Sequence, residues 1–260
     1  FQEIRVLRVV VDKVRLELSQ LQLAIDGEVV MTEEYATIID ELFNAKVPKT
    51  WMFTATGIEY SWINSTVGLW MGNFGSRDAQ IRSWLDNGRP SHFSCAGFFN
   101  PQGFLTSMKQ EVTRRHRGEG WALDDMVYHT EVTDMISETA VRSGPKEGVY
   151  CSGLYLDGAA WSRMDGSLVE SIPKQLFTLL PVLWVTATTK TIRKEKIKTG
   201  MYGPKGPYEC PLYKYPARTD RFYVAIINMA SKASDGIDEA PNSSHWILRG
   251  VALTATTDYM

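Results

Sequence analysis

Residues 1–26, FQEIRVLRVVVDKVRLELSQLQLAID, carry the strongest periodic signal in the chain, and the reading of the fold starts from them. Ile4, Leu7, Val11, Val14, Leu18, Leu21 and Ile25 recur in steps of three and four, the spacing of a continuous seam on an α-helix. Gly27 follows as a natural stop. On the side away from that seam, Val9, Leu16 and Leu23 repeat one heptad apart. Arg8, Lys13, Arg15 and Glu17 fill the flanks, while Arg5 and Asp12 interrupt the second stripe. Two apolar stripes separated by charge predict a helix covered on both sides, lying between two bodies; burial inside its own bundle is the alternative. At about 1.5 Å per residue it runs roughly 40 Å.

Further helices follow. Thr32 reads as an N-cap, with Glu33 and Glu34 favouring the helix dipole and Tyr35, Ile38, Ile39, Leu42 and Phe43 forming an inner face. A third helix is expected over about 61–86, weakened by Gly68, Gly72 and Gly75. Asn100-Pro101 supplies a cap followed by Pro at the first helical position, and Phe104, Leu105, Met108 and Val112 face inward. From about Gly120 the pattern becomes short β segments at 126–133, 149–156, 160–164, 167–170, 181–188, 208–213, 221–228 and 245–254. Asp165-Gly166 is a hairpin turn signal. The expected class is α+β: a helical region over 1–120, then a small antiparallel β-barrel over 121–260.

Composition bounds the function. The 260 residues have a net charge of −2, which argues against a general nucleic-acid binder. No apolar run reaches membrane-spanning length. The chain begins at Phe1 inside a periodic helix, so it reads as a piece of a longer polypeptide. Cys95, Cys151 and Cys210 are odd in number and widely spaced, which favours buried thiols in a reducing compartment. The sequons at Asn64 and Asn242 read as chance matches.

Chemistry-bearing motifs are missing. There is no GxxxxGK[ST], HExxH or GxSxG, and no nucleotide, metal or other cofactor is expected. The glycine-rich stretch from Gly200 to Gly206 lacks the strand-to-helix context of a phosphate site and reads as a mobile loop. His129 and Glu131 share one face of a strand, read as a solvated polar face. His92 and Cys95 supply two ligands where a structural zinc wants four. Lys190, Arg193, Lys194, Lys196, Lys198 and Lys205 form a basic segment, read as a solvated hairpin extension, with contact to an acidic protein surface as the sharper alternative.

Several stretches resemble one family, the C-terminal region of dynein heavy chains. They include the run from Gly97 to Thr106 (GFFNPQGFLT), Gly148-Val149-Tyr150, and the run from Gly153 to Trp161 (GLYLDGAAW). Pro181-Val182-Leu183, then Tyr208 to Lys214 (YECPLYK) and His245 to Leu253 (HWILRGVAL), continue the match in the family's order. The stretches from Ala24 to Met31 and from Lys46 to Trp51 fit as well. The forms at 148–150 and 245–250 look more axonemal than cytoplasmic, and outer-arm-like. Residues 188–207 depart from the family's commoner, shorter connection.

The resemblance implies a non-catalytic module of a microtubule motor. Its partners would be the AAA+ modules of the same heavy chain, other dynein complex subunits and, indirectly, microtubules, with neither nucleic acid nor membrane. Its setting would be cytoplasmic and cytoskeletal, in a ciliary or flagellar axoneme. Val9, Leu16 and Leu23 then become candidates for docking on the motor ring. The competing hypothesis is a self-standing β-barrel that binds peptide or glycan, which has no use for a second apolar stripe.

Overall fold

The computed structural model describes residues 1–232 and 241–258. Contacts group the polypeptide into two compact units, one of residues 1–88 with 97–99 and 258, the other of residues 89–96 with 100–257.

The first unit is helical. Its elements are α1 (Gln2–Ile25), α2 (Glu33–Phe43), α3 (Lys49–Met52) and α4 (Val67–Asn87). Thr32 caps α2 by accepting the Tyr35 N–H at 3.2 Å, as its position before two glutamates predicts. Of the expected inner face of α2, Ile38 is fully buried, while Phe43 is exposed. Helix α4 starts six residues later than expected, because Trp62, Ile63 and Asn64 are buried in non-helical backbone and Thr66 caps through the Leu69 N–H. Its three glycines lie where an added Cβ meets nothing within 4 Å, so they cost propensity rather than packing. The core is aromatic. Trp62 stacks on Trp70 with ring centroids 4.4 Å apart and donates from Nε1 to the Trp70 carbonyl at 3.0 Å. The buried Arg77 guanidinium lies 4.9 Å from the Trp62 ring and 5.2 Å from that of Phe99.

The second unit holds β1 (Phe93–Ser94), α5 (Pro101–Arg115), β2 (Met126–Val132), β3 (Val149–Ser152), β4 (Tyr155–Asp157), β5 (Ala160–Ser162), β6 (Ser167–Val169), β7 (Phe177–Leu179), β8 (Leu183–Thr189), α6 (Lys190–Lys198), β9 (Tyr208–Tyr213), β10 (Tyr223–Met229), α7 (Ser243–Leu248) and β11 (Ala252–Thr254). The class is α+β. One sheet orders its strands β1-β3-β8-β2, a second β10-β9-β11-β4-β7, and β5 with β6 forms the hairpin that Asp165-Gly166 predicts. Pairing is antiparallel except at β1–β3 and β11–β9, which are parallel. Both exceptions follow from crossovers: α5 and β2 separate β1 from β3, and β10 and α7 separate β9 from β11. Among the described residues no helix is long and apolar enough to cross a membrane.

Three expectations fail here. The strand expected over 245–254 begins instead as the end of α7, since the Asn242 side chain accepts the His245 N–H at 3.2 Å and caps a helix that buries Trp246 completely. Only Ala252–Thr254 remains a strand, after Gly250 turns the backbone at φ +65. The basic segment is a second failure. It forms α6, started by the Thr189 hydroxyl accepting the Ile192 N–H at 3.2 Å. Gly203 is likewise packed rather than mobile: at φ +101 an added Cβ would overlap the Ser231 carbonyl.

Candidate docking surface

Helix α1 buries Leu7, Val10, Leu21 and Ala24. With the part-buried Glu3, Val14 and Glu17 these complete the series 3, 7, 10, 14, 17, 21, 24, a seam displaced by one residue at four of the seven expected positions. Val10 takes the place of Val11, and Ala24 that of Ile25. The physical reason lies in two carboxylates. Glu3 accepts the Phe99 N–H at 2.7 Å, and Glu17 accepts the Thr50 hydroxyl at 2.8 Å. Turning these acids inward satisfies otherwise unpaired donors at the cost of leaving Leu18 and Ile25 outside, at 44% and 65% exposure. Lys13 supports the arrangement, lying 3.7 Å from Glu17 and 5.1 Å from the centre of the Tyr60 ring. Tyr60 donates to the Thr50 carbonyl, and burial, with Glu17 nearby, pushes its phenol well above the ordinary value.

The second stripe lies opposite. Val9 is 55% and Leu16 61% exposed, whereas Leu23 is half-buried. Arg8 and Asp12 form an exposed ion pair at 3.5 Å beside them. An exposed i,i+4 pair of this kind supports the helix by a few tenths of a kcal/mol and orders little else. Sequence spacing alone missed Leu18 and Ile25 as surface residues. The signal that could have found them was the pair of glutamates at heptad positions of the true seam.

The polar candidates of the second unit are knitted into its structure. His129 is buried, not solvated, because α6 and Tyr202 cover that face of β2. Its Nε2 lies 2.6 Å from Glu131 and 3.1 Å from the Lys196 amine, and its Nδ1 lies 3.3 Å from the Tyr202 hydroxyl. Arg193 donates to Glu209 and to the Asn228 side chain, both at 2.8 Å. Lys190 donates to the Asp124 carbonyl at 3.0 Å. His92 lies 3.7 Å from Glu138. Among the described residues no three His, Cys, Asp or Glu side chains gather closely enough to hold a metal ion.

Comparison with known proteins gives a consistent picture. The profile of the C-terminal domain of the dynein heavy chain matches residues 1–255. Dynein axonemal heavy chain 8 of Homo sapiens is 43% identical over 97% of this chain, and dynein axonemal heavy chain 5 of Mus musculus 42% identical over 97%. The dynein gamma chain of the flagellar outer arm of Chlamydomonas reinhardtii is 37% identical over 99%. The chain spans about 5% of the length of each of these relatives. A match that runs from end to end at this identity leaves one conclusion: the chain belongs to the family of C-terminal domains of dynein heavy chains.

Proposed function

We propose that this chain is a non-catalytic module that packs on the AAA+ ring of its own heavy chain through the outer stripe of α1. The observation that carries the reading is the exposure of Val9 and Leu16 opposite a seam already filled within the unit. Fully covering an exposed Val or Leu side chain is worth roughly 1.5–3 kcal/mol, so the part-exposed Val9 and Leu16 supply about 2–3 kcal/mol of docking energy, and the half-buried Leu23 adds less. The missing nucleotide-binding motif favours a supporting or regulating role in ATP-driven microtubule motility over a second ATP site. The relatives' names, axonemal and flagellar, support assignment to a ciliary or flagellar axoneme, with the other subunits of a dynein complex as further partners and microtubules reached only through the rest of the motor. Within the module, hydrogen bonds exchanged between the Thr130 hydroxyl of β2 and the Asn228 carbonyl and N–H of β10 support reading the two larger sheets as one small, incompletely zipped barrel.

The test is limited proteolysis of a heavy-chain fragment that includes the AAA+ modules, with and without Leu16→Glu. The reading expects the variant to release this module faster at unchanged intrinsic stability of the module. Equal protection of both proteins would overturn it.

A further inference from the structure

The two large sheets end on strands that face each other. β2 ends the four-stranded sheet and β10 the five-stranded one, so among the described residues each has one edge without a ladder partner. Where the edges approach, a side chain stands in for the ladder. Thr130 Oγ1 accepts the Asn228 N–H at 2.8 Å and donates to the Asn228 carbonyl at 3.2 Å. To one side of this bridge lies a cavity of about 410 Å³, lined by Met126, Val127 and Tyr128 of β2, by Ala225 and Ile226 of β10, and by Lys109 of α5. Residues 126–128 precede Thr130, and 225–226 precede Asn228. The two edges therefore run in the same direction, with the cavity between them.

We propose that this cavity is a strand-addition site for an extended peptide segment of a partner protein, carrying an acidic side chain. An extended segment laid in the cavity finds an open backbone edge to pair with, as strand-addition sites offer. At about 3.3 Å per residue, the three β2 residues span roughly 10 Å, room for about three peptide residues. The charge of the occupant follows from the lining. Arg193, which also lines the cavity, is already paired with Glu209. The Lys109 ammonium lies 5.5 Å from the centre of the Tyr128 ring and has no carboxylate partner among the described residues. The unspent charge in the slot is positive. Main-chain hydrogen bonds supply affinity, and Lys109 sets register by holding one Asp or Glu side chain.

A random heptapeptide library displayed on phage, selected on the 260-residue protein, tests this, followed by amide NMR titration of synthetic copies of the enriched peptides. The expected peptides carry an acidic residue within a β-branched run and shift the amides of Val127 and Ala225. Lys109→Glu lowers their affinity about tenfold, as reversal of a part-screened charge contact does. Gln102→Trp, a substitution at an exposed helix position lining the same cavity, abolishes binding by filling the slot. Three results would overturn the proposal: no enrichment, enriched peptides indifferent to both substitutions, or self-association of the protein through the same amides without added peptide.

Discussion

His116 faces two carboxylates, with Nδ1 2.8 Å from Glu119 and Nε2 2.6 Å from Glu147, and its ring stacks on Trp121 at 4.1 Å. Hydrogen bonds to Glu119 and then Glu147 raise its pKa above the ordinary 6.5. A raised value means that its contribution to stability is complete below about pH 6.5 and is lost as pH rises through the folded-state value. His129 has the opposite sign. Burial lowers its pKa, the Glu131 hydrogen bond pulls it back only in part, and Lys196 lowers it further. Its contribution is present above about pH 6.5 and is lost as pH falls through the lowered value. Histidine ring signals followed by NMR should therefore bracket 6.5, with His116 titrating above and His129 below, and Glu119→Gln should move His116 down. The pair of buried His129 and half-buried Glu131 was half legible in the sequence: alternation placed both on one face, but what covers that face comes from α6, far along the polypeptide. Gly148 makes the sharpest residue-scale case. It sits at φ +76, where an added Cβ would lie 2.8 Å from the Thr186 Cα and overlap the Val185 carbonyl. Gly148→Ala should cost more than ~2 kcal/mol in urea unfolding, whereas Gly166→Ala, at φ +57 in open space, should cost only ~1 kcal/mol.

At the scale of elements, α1 and α6 show why patterns of apolar residues are not sufficient. Steps of three and four identify α1 and its extent, yet two neighbouring registers fit that spacing, and the choice between them rests on where Glu3 and Glu17 find donors. The consequence is measurable. Val10→Glu, at a fully buried position, should destabilise the protein by more than ~3 kcal/mol, while Leu16→Glu should stay within about 0.5 kcal/mol of the parent in urea unfolding. Comparable losses at both positions would mean that Leu16 is needed inside the unit. Composition predicts a solvated extension at 190–205, because the segment is dominated by lysine and arginine. What it cannot predict is that these cations find Glu209, Asn228, the Asp124 carbonyl and His129 within reach once the sheets form. Replacing residues 190–205 with a short Gly-Ser link should expose His129 and lower stability by about 2 kcal/mol or more, read from the urea midpoint.

For the molecule as a whole, the trend from helix-rich to strand-rich sequence was legible from the change of apolar period near Gly120, but β1 before that point and α6 and α7 after it were not. The path of the backbone was not, since contacts across more than a hundred residues leave no periodic trace. The polypeptide passes between its two units at 88/89, 96/97, 99/100 and 257/258. The last passage is fastened by Asp258, whose carboxylate accepts from the Asn64 amide at 2.8 Å and from the Ser65 hydroxyl at 2.7 Å and N–H at 3.1 Å. Burial alone would raise its pKa; the Asn64 and Ser65 donors outweigh it and lower the carboxyl. That contribution is present above about pH 3.8 and is lost as pH falls through the lowered value. Asp258→Ala should therefore weaken the helical unit by about 1 kcal/mol at neutral pH in urea unfolding, with the difference vanishing in acid. The same clasp fixes a timetable for synthesis. Asn64 and Asp258 are 194 residues apart, so at about 5–20 residues per second a ribosome delivers the second roughly 10–40 s after the first. Of the two units the helical one leaves the exit tunnel earlier yet is completed later, and until then its Asn64 amide and Ser65 hydroxyl are within reach of any chaperone waiting there.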